Sequence, residues 1–131
     1  MTEALPTTGD GDCFEVAASV LALFDKPYAL DDGAKDAQKI LATMDLLATD
    51  LLLVHGKVTR PSDGFQHDHA WVEIPEQMLV VDFSNGLRCI AHKFHYYEMG
   101  CIDGTVEYTC SETTKNLLEH ETYGPWENDN E

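Results

Sequence analysis

The chain has 131 residues, 44% of them hydrophobic, which suits one globular domain with a modest core and argues against both a disordered segment and two domains. Its formal net charge is −16, with 8 lysines and arginines against 24 acids, and this argues against nucleic acid or an anionic membrane as a partner. Nothing approaches the roughly 18 apolar residues of a membrane span, and residues 1–8 lack the basic and apolar regions of a secretory signal, so a cytoplasmic protein is expected.

Thr8-Gly9-Asp10-Gly11-Asp12 reads as a tight polar loop opening onto a helix over residues 13–24. Phe14, Ala17, Ala18 and Leu21 recur at helical spacing, and Asp12 is a good N-cap, which places Cys13 at the first helical position. Free backbone N–H groups and the positive end of the helix dipole converge on such a residue. They favour a thiolate and can stabilise an oxyanion. The two aspartates beside it oppose the thiolate by like charge.

A second helix is predicted over residues 34–48, with Ala37, Ile40, Leu41, Met44, Leu47 and Ala48 as its apolar stripe. Period two then takes over: a strand over 51–60 with Gly56 as a possible bulge, turn chemistry at Pro61-Ser62-Asp63-Gly64, and a hairpin of 69–74 and 78–83 joined at Pro75. Residues 88–91 suggest a strand, 92–98 a short helix or irregular turn, and 105–108 a strand. Thr109 and Glu112 form a capping box that opens a last helix to about residue 120. Helices first and antiparallel strands afterwards give an α+β fold, with the first helix packed on a sheet.

A cysteine nucleophile needs a base within hydrogen-bond reach, and the base needs an orienting acceptor. His69 opens one strand of the hairpin and Asp82 closes the other, so pairing brings them near each other. Asp82 points away from Val81 and Phe83, and a charged residue in an apolar run needs a partner, for which an imidazolium is suitable.

The order Cys13, then His69-Ala70-Trp71-Val72-Glu73, then Val80-Val81-Asp82-Phe83-Ser84-Asn85-Gly86, resembles the core of the papain-like cysteine peptidase and transglutaminase-like superfamily. Asp10-Gly11-Asp12-Cys13-Phe14 also resembles the signature of ovarian-tumour-type proteases of that group. The chain's size and its Tyr123-Gly124-Pro125-Trp126 ending are similar to small papain-like proteins of tailed bacteriophages. The resemblance implies a single papain-like domain over residues 1–131; its acidic end, residues 126–131, reads by itself as a disordered tail. It implies a thiol hydrolase in which Cys13 is the nucleophile, His69 the general base and acid, and Asp82 the orienting carboxylate, with the Asp10–Asp12 loop shaping the oxyanion hole. A peptide or protein amide is the expected substrate, with no cofactor; an acyltransferase or a non-catalytic binding protein on the same fold are the alternatives. The chain departs from papain in carrying Thr7 where a glutamine stands six residues before the cysteine, and Phe14-Glu15 after it.

Other residues have plainer readings. His67, His69, His92 and His95 match no specific zinc-ligand spacing, and Cys13, Cys89, Cys101 and Cys110 contain no C-x-x-C pair, so neither metal nor disulfide is expected. His67 and Asp68 are expected at a cleft mouth. Trp71 is expected in the core, or else as a wall over the triad; Tyr96, Tyr97 and Trp126 are expected in packing, and Glu73 on a solvated strand face.

Overall fold

In the computed structural model, five strands form one antiparallel sheet in the order β4-β3-β2-β1-β5. The described residues are 13–22, 32–59, 62–83, 89–121 and 126. Along the chain they form α1 (Cys13–Ala22), α2 (Asp32–Thr43), β1 (Leu52–Thr59), β2 (Gln66–Ile74), β3 (Leu79–Asp82), β4 (Cys89–His92), α3 (Lys93–Gly100), β5 (Asp103–Tyr108) and α4 (Cys110–His120). The protein is therefore α+β, with helices packed on an antiparallel sheet.

Strands β1 to β4 run as a meander, and β5 returns to the far side of β1. The link from β4 to β5 has to pass from one edge of the sheet to the other. It does so through α3, which lies over the face formed by Val54, Trp71 and Val80. The opposite face, with Leu51, Leu53, Ala70, Val72, Ile74 and Val81, packs against α1. Alternation along β2 thus sends residues 70, 72 and 74 to α1 and residue 71 to α3.

α1 is buried on more than the one face its spacing suggested. Val16 and Val20 are as deeply buried as Phe14, Ala18 and Leu21, and Ser19 is buried with them. A helix apolar nearly all round is a central one, and each fully buried Val, Leu or Phe side chain stabilises the fold by about 1.5–3 kcal/mol. Its last turn leaves carbonyls that need donors. The Gln38 side chain of α2 donates to Val20 O at 3.0 Å, and the Cys110 thiol of α4 donates to Leu21 O at 3.3 Å.

α2 ends earlier than its apolar stripe suggested. It stops at Thr43, because Asp45 takes a left-handed conformation (φ 61°) that closes the helix. Leu47 is then left 66% exposed, outside the core it was expected to join. Gly56 does mark an irregularity: the register of β1 against β5 shifts between His55 and Lys57. A Cβ at Gly56 would lie 2.8 Å from the Trp71 ring and 3.1 Å from Thr105, so the close approach of Trp71 depends on glycine.

Trp126, read both as a packing aromatic and as the first residue of the acidic tail, is packed. It is 3% exposed, with its ring centroid 5.0 Å from those of both His55 and Tyr108. An aromatic ring buries too much apolar area to be left in water when a cavity of rings is at hand. Residues 127–131 lie outside the described residues. No described helix is long and apolar enough to cross a membrane.

Candidate active site

The β2–β3 ladder pairs Ile74 with Leu79, Glu73 with Val80 and Val72 with Val81, and goes no further. Continued by one step, it would set Asp82 opposite Trp71, making His69 the diagonal neighbour of Asp82 on the same face. Instead the two strands part there. A small cavity of about 10 Å³ lies at the fork, lined by Cys13, Val72 and Val81 together with Trp71, Asp82 and Phe83. Residues of both sheet faces meet at that point, which brings a cysteine at the start of α1 up to the strand end that carries Asp82.

His69 Nε2 is 2.9 Å from Asp82 Oδ2, with the two side chains 13% and 4% exposed. The Cys13 side chain lies close enough to the same imidazole to raise its pKa. Because Nε2 is taken by Asp82, Nδ1 is the nitrogen left for the sulfur. The structure thus brings together Cys13, His69 and Asp82, the three residues singled out from the sequence. Asp10 and Asp12 lie outside the described residues.

Burial pulls the His69 pKa down. The hydrogen bond that His69 donates to Asp82, the Asp82 charge and the nearby Cys13 outweigh it, raising the pKa from 6.5 to about 10. The imidazole is therefore held protonated across neutral pH, as a thiolate–imidazolium pair requires. The raised value also bears on stability. A group whose pKa rises on folding stabilises the fold fully below its unfolded value, and that stability is lost as pH climbs to the folded value. The urea midpoint of the wild type is expected to fall between pH 6.5 and about 10 more steeply than that of His69→Gln. Parallel curves for the two proteins would show that His69 carries no such shift.

Two residues of the site were not recognised in the sequence. The Tyr96 hydroxyl of α3 donates to Asp82 Oδ2 at 2.6 Å, so this oxygen serves both His69 and Tyr96. Glu73 was expected in solvent and is 2% exposed instead. Its Oε2 accepts from Trp71 Nε1 at 2.9 Å and from the Tyr97 hydroxyl, and Lys93 Nζ stands 3.4 Å from Oε1. The reason is α3, which covers the face that an isolated hairpin would have left wet. The signal was present: Glu73 in Trp71-Val72-Glu73-Ile74 is as isolated a charge as Asp82 in its own run, and two adjacent tyrosines follow downstream.

Trp71 is fully buried, and its ring centroid lies 5.9 Å from that of His69, so it is both core and wall of the site. His67 meets His69 edge-on at 5.9 Å and stacks on the half-exposed Phe65 at 6.1 Å. His92 caps α3, its Nδ1 accepting from Phe94 N at 3.2 Å. Among the described residues no three His, Cys, Asp or Glu side chains gather as a metal site would require. All four cysteines are free. The Cys89 thiol, whose residue pairs with Asp82 across β3 and β4, is pushed up in pKa by burial and by the Asp82 charge. Comparison with family models, with curated proteins and with solved structures returns no match.

Proposed function

We propose that the protein is a papain-like cysteine hydrolase acting on a peptide or isopeptide amide. The observation that supports this reading best is His69, bonded through Nε2 to a buried Asp82 and set close enough to Cys13 that the two partners raise its pKa to about 10. In this mechanism the Cys13 thiolate forms a bond to the amide carbon, and the carbonyl electron pair moves onto oxygen. Backbone N–H groups at the start of α1 face that oxyanion. Collapse breaks the C–N bond, and His69 gives its proton to the departing nitrogen, leaving a thioester on Cys13. Water then attacks the thioester while His69 takes its proton, and the carboxylic acid leaves the regenerated thiolate. Asp82 holds the imidazole in one orientation throughout. An amine in the place of water would make the same site an acyltransferase.

One observation favours a second reading: Cys13 is only 7% exposed, as suits a non-catalytic binding protein on this scaffold. Selective labelling separates the two. At about pH 6 an electrophilic peptide probe is expected to label Cys13 at least tenfold faster than Cys89, Cys101 or Cys110, read by peptide mass mapping. Burial and Asp82 already hold back Cys89, and Cys110 is half-buried and engaged with Leu21 O. Equal or slower labelling of Cys13 would reject the hydrolase and leave the binding protein.

A further inference from the structure

Asp82 Oδ2 receives two donors, His69 Nε2 at 2.9 Å and the Tyr96 hydroxyl at 2.6 Å. One carboxylate oxygen can accept both, but they draw on the same electron density. We infer that Tyr96 is a positioning residue of the site: its hydroxyl fixes the Asp82 carboxylate and limits how tightly that carboxylate holds a proton on His69. The inference rests on the Cys13–His69–Asp82 reading above.

Tyr96 is well placed for this because its helix is pinned at both ends. At the start, Lys93 N donates to Met78 O at 2.8 Å and His92 caps the first turn. At the end, Ile102 N donates to Tyr97 O at 3.1 Å. The Trp71 ring packs against both tyrosines, at 5.4 Å from Tyr96 and 5.8 Å from Tyr97. The two neighbours nevertheless serve different carboxylates, Tyr96 that of Asp82 and Tyr97 that of Glu73. A ring held this way delivers its hydroxyl with little rotamer entropy left to lose.

The donor is also constant. Burial first, and then the Asp82 charge, push the Tyr96 hydroxyl far above the ordinary phenol range, so it keeps its proton at any working pH. Among the described residues, the titratable groups around this carboxylate come from four elements: Cys13 on α1, His69 on β2, Cys89 on β4 and Tyr96 on α3. His69 alone of these becomes a cation. An imidazolium too firmly paired is a poor general acid, since the best proton donor titrates near the operating pH. A neutral donor sharing Oδ2 weakens that pairing without removing the carboxylate.

The test uses the full chain with Tyr96→Phe, Tyr96→3-fluorotyrosine (introduced at this position alone) and Tyr97→Phe. The readouts are the His69 midpoint from ring-nitrogen NMR and the thermal midpoint from circular dichroism. Losing the donor is expected to raise the His69 midpoint by about one pH unit, and the more acidic fluorophenol to lower it. Tyr97→Phe is expected to lower the thermal midpoint and leave His69 where it was. Opposite shifts from two near-isosteric rings cannot come from packing. An unmoved midpoint in both Tyr96 variants, or movement in one direction in both, overturns the inference. If Tyr96→Phe does not fold, the fluorotyrosine decides alone, and the absence of a downward shift is then the overturning result. A wild-type midpoint near 6.5 would instead sink the triad reading itself, a result distinct from a raised midpoint that ignores Tyr96.

Discussion

Replacing His69 with alanine is expected to slow the alkylation of Cys13 by iodoacetamide about 100-fold near neutral pH. His69 is held protonated there, and a cationic imidazole beside a thiol favours its attack on an electrophile. Without the ring, the start of α1 is left to stabilise the anion, an effect on the order of 1 kcal/mol. In the sequence it is opposed by Asp10 and Asp12. Asp82→Ala is expected to cost less, about tenfold, because the imidazole loses its orienting acceptor and the main partner of its proton but the ring itself stays beside Cys13. The measurement is a pH–rate profile of each variant, with the fold verified by circular dichroism. A His69→Ala profile that overlays the wild type would mean that Cys13 and His69 do not act as a pair.

The second large effect is expected on stability, at Glu73. Glu73→Ala removes the acceptor of Trp71 Nε1 and of the Tyr97 hydroxyl in one step. A buried donor left unsatisfied costs about 1–3 kcal/mol, and a loss of about 3 kcal/mol in all is expected. Lys93 is 28% exposed and can turn to water, so its share is small. For a chain of this size that loss corresponds to roughly 10 °C in thermal midpoint. Glu73→Gln keeps an acceptor of the same shape and is expected to lose about half as much. The His69 midpoint should stay in place in both, since Glu73 does not touch the triad. A loss below about 1 kcal/mol in Glu73→Ala would show that the two donors find other partners.

What could be read in advance was whatever depends on near neighbours. Thr109 and Glu112 announce their capping box, and both halves of it form, at 3.1 Å and 2.9 Å. Gly56 signals its register shift because a glycine inside a strand pattern has few other uses. His69 and Asp82 come together for the same reason, as strict alternation and a short turn settle which face each side chain takes. Most of the failures share one cause, which is that they depend on what lies on top. Tyr96, Tyr97 and Glu73 acquire their partners only because the β4-to-β5 connection crosses the sheet, and no local pattern specifies that crossing. Trp126 was expected in packing, but its acidic sequence neighbours do not announce its spatial ones, His55 and Tyr108. The end of α2 was missed because Asp45 adopts a positive φ that is uncommon outside glycine.

The fork between β2 and β3 also bears on the order of events during synthesis. His69 and Asp82 are 13 residues apart and share a hairpin, a unit that closes in about 1–10 microseconds. Cys13 belongs to a helix made far earlier, whose apolar surface has no sheet to cover until β1, β2 and β3 have emerged. Chains grow at about 5–20 residues per second, so the thiol spends several seconds as an ordinary cysteine on a nascent chain. Only when α1 docks does the sulfur enter the fork, and Tyr96 follows on a still later segment. The reactive pair is thus a product of long-range closure, the slowest class of contact to form. A ribosome-bound fragment ending before β3 should carry a thiol that reacts like that of free cysteine.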